Sequence, residues 1–180
     1  MSEQTIGQSV LRKEDQRFIT GTGNYTDDIN LRGQAYGYFV RSPFAHATID
    51  SVDVSAATQM EGVIAVLTGS DLAEDGLGAL PCGWMIHSKD GSEMRSPDHP
   101  IMAVNKVNYA GEPLALVVAD SIKLAKNAAE MVDVEYGELT PVVDLRTAQS
   151  EEQIYAEIPS NTSYEWELGD LEATVAAFDS

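Results

Sequence analysis

The segment Leu114-Ala115-Leu116-Val117-Val118-Ala119 is the strongest strand signal in the chain, and the predicted fold is built around it. An apolar run without polar alternation is typical of a strand buried on both faces, so we expect it at the centre of a sheet. Ser121 to Met131 follows with helical spacing, and Asp120 or Ser121 is its expected N-cap. Val132 to Tyr136 then alternates as a half-buried strand. The helical residues predicted to pack on the sheet are Ile122, Ala125 and Ala129.

Three further strands and two short helices are predicted upstream of this unit. The strands are Ala35 to Val40, Thr48 to Val54 and Val63 to Leu67. The helices are Ser55 to Met60, which Ser55 caps, and a turn over Thr68 to Leu72. This irregular alternation favours an α+β fold over a doubly wound parallel sheet. We therefore expect a mixed sheet with one main helix and several short helices.

A long loop is predicted over residues 76–100, which contain three Pro, four Gly and the turn pair Asp90-Gly91. Loops of this length usually contribute to function or to the binding of a partner and are not simple connectors.

The charge of the 180-residue chain excludes some classes of partner. Eleven basic residues stand against 29 acidic ones, for a net charge of −18. Nucleic-acid binding needs a basic surface that is lacking here, and an anionic membrane is disfavoured for the same reason. The excess is concentrated after residue 129, where Arg146 is the only basic residue. We expect a solvated acidic surface there.

Compartment signals point to a soluble cytoplasmic protein. The single cysteine, Cys82, cannot close an intramolecular disulfide. The first 15 residues have no apolar core of signal-peptide length, and no window approaches 18 apolar residues, so we expect no membrane insertion.

The histidines and the cysteine do not form a recognisable site. His46, His87 and His99 lie far apart without the spacing of metal ligands, so structural roles are expected. A catalytic Cys82 would need a neighbouring histidine or helix N-terminus, which the sequence does not indicate.

Glycine and carboxylate pairs are equally uninformative. Gly21-Thr22-Gly23 lacks the third glycine, the preceding strand and the following helix of a dinucleotide site, so it is interpreted as a turn. The carboxylate pairs Asp27-Asp28 and Glu151-Glu152 are neighbours in sequence. Neighbouring side chains of an extended chain point in opposite directions, so these pairs do not imply joint general acid–base catalysis. We assign no catalytic, cofactor-binding or metal-binding residue.

Five blocks of sequence follow one another between residues 12 and 143. They are Arg12 to Asp28, Arg41-Ser42-Pro43-Phe44-Ala45-His46-Ala47, Gly62 to Asp71, Tyr109 to Ala119 and Ala125 to Val142. In this order they resemble the start of the large, molybdenum-binding subunit of the xanthine dehydrogenase / aldehyde oxidase / carbon monoxide dehydrogenase family.

The resemblance implies an α/β-hammerhead domain. Leu80 to Trp84 and Ser88 to Gly91 look like the carbon-monoxide-dehydrogenase-like branch, whose members oxidise different substrates, including aldehydes and N-heterocycles. In such enzymes a molybdenum–pterin cofactor serves the hydroxylation, and electrons leave through iron–sulfur clusters and FAD on partner subunits or domains. The family's cofactor-binding and catalytic residues match no position here.

The expected domains are a hammerhead over residues 1–149, with an extended leading segment over 1–34, and an acidic linker over 150–180. Within the linker we expect a strand, Tyr164 to Leu168, and a helix that Gly169-Asp170 caps. This helix resembles the start of the molybdenum-binding domain. Its expected apolar face is formed by Leu171, Val175 and Phe178.

Three functions stay open at this point. The first is a fragment of a molybdenum hydroxylase large subunit, inactive alone, arising as an isolated domain, a truncated gene product or one piece of a split subunit. It would pair with the rest of that subunit and with iron–sulfur and flavin subunits, and homo-oligomers are possible. The second is a freestanding, non-catalytic module that docks partner subunits. The third is a hydrolase that uses Cys82.

Overall fold

The computed structural model describes residues 7, 9 and 11–179, which fall into two compact units, residues up to Gln34 and residues from Ala35 onward. The strands are β1 (Tyr36–Arg41), β2 (Ala47–Asp53), β3 (Val63–Thr68), β4 (Lys106–Val107), β5 (Pro113–Ala119) and β6 (Asp133–Glu138). The α-helices are α1 (Asp15–Ile19), α2 (Ser55–Thr58), α3 (Gly69–Glu74), α4 (Ile122–Ala129) and α5 (Leu171–Phe178). Single turns of 3-10 helix are formed by Thr26–Asp28, Ala148–Ser150 and Pro159–Asn161.

The first unit contains α1, which the sequence did not predict, and a turn that it did. Gly21 has a φ of +70°, a conformation that glycine adopts without steric cost. The rings of Phe18 and Tyr25 stack with centroids 5.4 Å apart. The Tyr25 amide donates to Asp28 Oδ2 at 2.9 Å. These contacts hold the segment as consecutive turns, as expected for Gly21-Thr22-Gly23.

The second unit contains two antiparallel three-stranded sheets. In the first sheet β5 lies between β1 and β3, which confirms the central position predicted for it. In the second sheet β2 lies between β4 and β6. The sequence predicted every one of these strands except β4, which has only two residues and therefore gives no periodic signal.

Helix α4 packs on the first sheet through alanines. Ser121 caps it, because its side chain accepts a hydrogen bond from the Leu124 amide at 3.2 Å. Ala125 and Ala129 are buried as predicted. Ile122 is an exception, since it remains 44% exposed at the first position of the helix, three residues past the end of β5. Ala128 instead completes the packed face.

Two clusters form the buried core, and β5 contributes to both. Buried members of the first are Ala57, Val117, Ala119, Ala125, Ala128 and Ala129. Buried members of the second are Ala47, Ala103, Val107 and Leu114. Leu116 and Val118 of β5 are only half-buried. The strand is therefore covered on both faces, but the face with Ala115, Val117 and Ala119 is buried more completely than the face with Leu116 and Val118.

Two local predictions are wrong. Ser55 is the first residue of α2 rather than its cap, because Val54 occupies the cap position and the Ser55 amide donates to Asp53 Oδ1 at 2.8 Å. Tyr164 to Leu168 forms no strand, since the hydrogen bonds of this segment go to the long loop instead of a sheet. Among the described residues, no helix is both long and apolar enough to cross a membrane.

Candidate functional site

The long loop after α3 contains a small hairpin, residues 86–94. The Ser88 amide donates to the Ser92 carbonyl at 2.8 Å, and the turn between them has Gly91 at a φ of +84°. Asp90 stabilises the turn by accepting from the Ser92 hydroxyl at 2.7 Å and from its amide at 2.9 Å. The hydroxyl contact, followed by the amide contact, holds the pKa of Asp90 below its ordinary value. The predicted Asp90-Gly91 turn is thus confirmed.

Residues 162–165 run beside this hairpin and bind it. The Lys89 amide donates to the Glu165 carbonyl at 2.8 Å, and the two side chains form an ion pair at 3.0 Å. The Arg95 amide donates to the Ser163 carbonyl at 3.0 Å. We call this set of contacts the clasp. It joins two segments about 70 residues apart in sequence. It also uses main-chain hydrogen-bonding groups of the segment that was predicted to be a strand.

An open groove with an apolar lining lies beside the clasp. Its volume is about 530 Å³. We call it the tryptophan groove, because both tryptophans of the chain lie in it, with Trp84 79% exposed and Trp166 61% exposed. Its lining is completed by Met85, Ile86, His87 and Tyr164. Large apolar patches on a protein surface usually mark an interaction site, so this groove is the best candidate for a functional surface.

The segment that forms one wall of the tryptophan groove is acidic. Residues 161–180 contain five acidic residues and no basic one. The hydrogen bond from Lys89 to Glu165 raises the pKa of Lys89, and Glu167 and Asp90 raise it further at longer range. The only other basic residue between residues 42 and 105, Arg95, donates through Nη1 to the Thr162 carbonyl at 3.3 Å. The two cations near the groove are therefore both engaged.

Helix α5 has further exposed apolar residues. Asp170 caps it as predicted, accepting from the Ala173 amide at 2.9 Å. Leu171, Val175 and Phe178 are all more than half exposed. The helix therefore has no buried face within the residues that the structure describes.

The three histidines are not brought together. His46 is buried, and its Nδ1 donates to the Thr140 carbonyl at 2.8 Å. His87 lines the groove and lies 4.0 Å from a Glu93 oxygen, while His99 stacks on Tyr109 with centroids 6.0 Å apart. Over residues 11–179 no group of three or more His, Cys, Asp or Glu could hold a metal ion.

Cys82 and the acidic pairs have local partners. The Cys82 thiol is exposed and donates to the Trp84 carbonyl at 3.2 Å. Glu151 accepts from the Thr147 hydroxyl, while the Glu152 carbonyl accepts from the Asn161 side chain at 3.0 Å. These contacts give no indication of shared acid–base chemistry, and the assignment of no catalytic residue stays a prediction.

Two of the sequence blocks that carried the resemblance meet around buried polar residues. The buried carboxylate of Glu112 accepts from the Asn108 amide at 2.6 Å, and the Glu112 carbonyl accepts from the Ser42 amide at 2.9 Å. Arg41 donates to the Gly111 carbonyl at 2.9 Å. Glu112 and Ser42 therefore join β5 to the turn after β1, and their role in the described structure is packing.

A comparison with protein families matches residues 20–140 to a domain described as "Aldehyde oxidase and xanthine dehydrogenase, a/b hammerhead domain". The nicotine 6-hydroxylase large subunit of Paenarthrobacter nicotinovorans is 40% identical over 146 residues, which are 81% of this chain and 17% of that subunit.

Solved structures agree with this match. Quinoline 2-oxidoreductase from Pseudomonas putida 86 superposes with a TM-score of 0.72 at 38% identity, over 84% of this chain and 18% of that one. The Cu,Mo-CO dehydrogenase superposes with a TM-score of 0.68 at 33% identity, over 97% of this chain and 22% of that one. The chain spans about a fifth of the length of the curated relatives it matches.

Proposed function

The chain belongs to the aldehyde oxidase and xanthine dehydrogenase family as a hammerhead domain of a molybdenum hydroxylase large subunit, and we propose that it acts within that larger enzyme as a docking and framing domain. The observation that carries the proposal is the tryptophan groove beside the clasp, together with the exposed apolar residues of helix α5. A domain that worked alone would leave this apolar surface in water, at a cost in solubility.

The chemistry of the proposed enzyme is supplied by a molybdenum–pterin cofactor, which activates the oxygen transferred to the substrate. In the part of the chain that the structure describes, no group of three or more His, Cys, Asp or Glu could hold a metal ion, and the buried carboxylate of Glu112 accepts from the Asn108 amide, so we identify no residue here that would hold the cofactor. We therefore assign no step of the reaction to this chain. Its proposed contribution is to help frame the substrate channel and the contact with the iron–sulfur subunit.

The proposal also covers the partner subunits of the enzyme and its cellular compartment. The matched nicotine 6-hydroxylase chain is named a large subunit, which supports assembly with further subunits. We propose that these carry iron–sulfur clusters and FAD. We place the enzyme in the cytoplasm, because the single Cys82 cannot form an intramolecular disulfide. Carbon monoxide, an aldehyde or an N-heterocycle would each be compatible as the substrate.

The test is to read the gene on both sides of the segment that encodes this chain. A reading frame that continues into a molybdenum-binding domain, or an adjacent gene that encodes one, supports the proposal. A stop codon directly after Ser180 with no such gene nearby would favour the alternative, a freestanding module without chemistry. An oxidation assay of the isolated chain on aldehydes and N-heterocycles should show no turnover.

A further inference from the structure

The tryptophan groove has the side chains of a protein-binding surface. Trp84, Trp166 and Tyr164 line it, and tryptophan and tyrosine are among the residues that carry most binding energy at interfaces. The groove is open rather than enclosed, and the segment that contains Trp166 leads in the chain to α5, whose residues Leu171, Val175 and Phe178 are exposed. A small ligand in the groove would leave these α5 residues in water, whereas a polypeptide can cover both.

The clasp holds the two walls of the groove in a fixed relation. Trp84 and Met85 precede the hairpin directly, while Tyr164 and Trp166 flank Glu165. The main-chain bond from Lys89 to Glu165 therefore fixes one wall against the other. A surface that is ordered before binding loses less entropy when its partner arrives.

The charge around the groove limits the chemistry of the partner. Glu165 and Glu167 flank Trp166, and the Lys89 charge is balanced by Glu165. Asp170 and Glu172 continue the acidic run into α5. Complementary interfaces pair opposite charges and reject like ones, so an acidic partner and an anionic lipid surface are both disfavoured.

We propose that the tryptophan groove docks a polypeptide surface with an apolar centre and a basic rim, contributed by the part of the same large subunit that lies outside the hammerhead domain. The inference rests on the proposed function. It is supported by the length of the relatives, about four-fifths of which lies outside the matched region, and by the exposed apolar residues of α5, which follows Trp166 closely in the chain.

The experiment uses a chimeric large subunit in which this chain replaces the matching segment of the nicotine 6-hydroxylase large subunit. The chimera is purified with its partner subunits, and molybdenum content and assembled complex are measured. The two tryptophans are then oxidised chemically, and the products are quantified by mass spectrometry. We expect Trp84 and Trp166 to react at least about tenfold more slowly in the assembled chimera than in the isolated chain, because docking removes them from solvent.

Two matched variants of the chimera test whether the docking surface is the tryptophan groove. Trp166→Glu places a charge in the groove, and we expect it to reduce assembled complex at least about tenfold. Ile64→Glu makes the same kind of change at an exposed position of β3, where Ile64 is 59% exposed, and should assemble normally. Thermal unfolding of both variants as isolated 180-residue chains confirms that each is folded.

A carbodiimide cross-link, which joins adjacent carboxylates and amines, tests the basic rim. We expect Glu167 to link to lysines outside the hammerhead segment. Equal tryptophan reactivity in the chimera and the isolated chain, equal assembly of the two variants, or the absence of such links would overturn the docking proposal. Failure of the unsubstituted chimera to assemble would overturn the proposed function, and the docking surface with it.

Discussion

Gly69 lies so close to the main chain of Ala103 that no side chain fits between them. A Cβ atom at Gly69 would lie 2.9 Å from the Ala103 carbonyl carbon and 2.9 Å from the Met102 carbonyl oxygen. Both Met102 and Ala103 are buried. The start of α3 and the end of the long loop are therefore packed backbone to backbone, which explains a glycine at the first position of a helix.

The first prediction follows from this contact. Gly69→Ala should lower the free energy of unfolding by about 1–3 kcal/mol, because overpacking forces backbone to move. Gly78→Ala is the control, since a Cβ at Gly78 meets no atom within 4 Å and should change stability by no more than about 0.5 kcal/mol. Urea unfolding measures both. Equal midpoints for the two variants would show that the loop does not pack on α3.

The second prediction concerns the central strand. Leu114 is fully buried, so Leu114→Ala should cost about 2–5 kcal/mol through lost burial and the cavity left behind. Leu116→Ala should cost less, because Leu116 is only half-buried. Ile64→Ala, on the exposed side of β3, is the control and should change stability little. The ranking of the three unfolding free energies is the measurement, and a Leu116 effect larger than that of Leu114 would contradict it.

The third prediction concerns acid unfolding. The Thr68 hydroxyl and then the Thr68 amide donate to Asp71 and hold the pKa of that carboxyl below its ordinary value of 3.8. A carboxyl whose pKa is lower in the folded state than in the unfolded state stabilises the fold at pH values above its unfolded-state pKa. This stabilisation is lost as the pH falls through its folded-state pKa. Asp71→Asn should therefore flatten the decrease in stability below about pH 4.

The control for this change is Glu61→Gln, which removes an exposed carboxylate of equal charge. Unfolding free energies of both variants are compared with the unsubstituted chain from pH 2 to pH 7. Parallel curves for Asp71→Asn and the unsubstituted chain would show that the Thr68 contacts do not couple to folding.

The fourth prediction concerns the boundary at Gln149. Both core clusters lie before this residue, so truncation after Gln149 should leave one cooperative unfolding transition and less self-association. It should also lower stability by about 1.5–3 kcal/mol, because Ile158 is only 6% exposed and its burial is lost. Truncation after Leu168 is the control, since every described residue that it removes is exposed, and it should not move the midpoint. Loss of the transition in the shorter chain would place the tail in the core.

The fifth prediction concerns cofactor content. The purified chain should contain no stoichiometric molybdenum, iron or flavin, because the described residues supply no ligand set for a metal ion and we expect the cofactors on other parts of the enzyme. Elemental analysis and the visible absorbance spectrum measure this directly. A bound flavin band or one equivalent of metal would contradict the non-catalytic role.

Local patterns were sufficient for β5, α4 and β6, because each has a periodicity that its own residues determine. The position of β4 depends on β2, about 60 residues earlier, and two residues give no pattern to recognise. Tyr164 to Leu168 alternates apolar and acidic residues as a strand does, yet its partner is a loop.

The candidate site was harder to predict than the fold. Trp84 lies in the predicted long loop, and Tyr164 and Trp166 lie in the predicted acidic linker, which is a weak signal on its own. Their proximity depends on the clasp, which forms between segments about 70 residues apart. Short-range sequence patterns contain no information about such a contact, so the groove could only be recognised once the chain was folded.

The central position of β5 has a consequence for synthesis on the ribosome. Its partner β1 pairs with it across about 80 residues of sequence, as in Tyr36 with Ala119. At typical elongation rates β1 waits roughly 4–16 s before β5 is made. During that interval β1 and β3 expose unpaired edges to other nascent chains. A high proportion of such distant contacts slows folding, so chaperone demand should peak before residue 119 emerges.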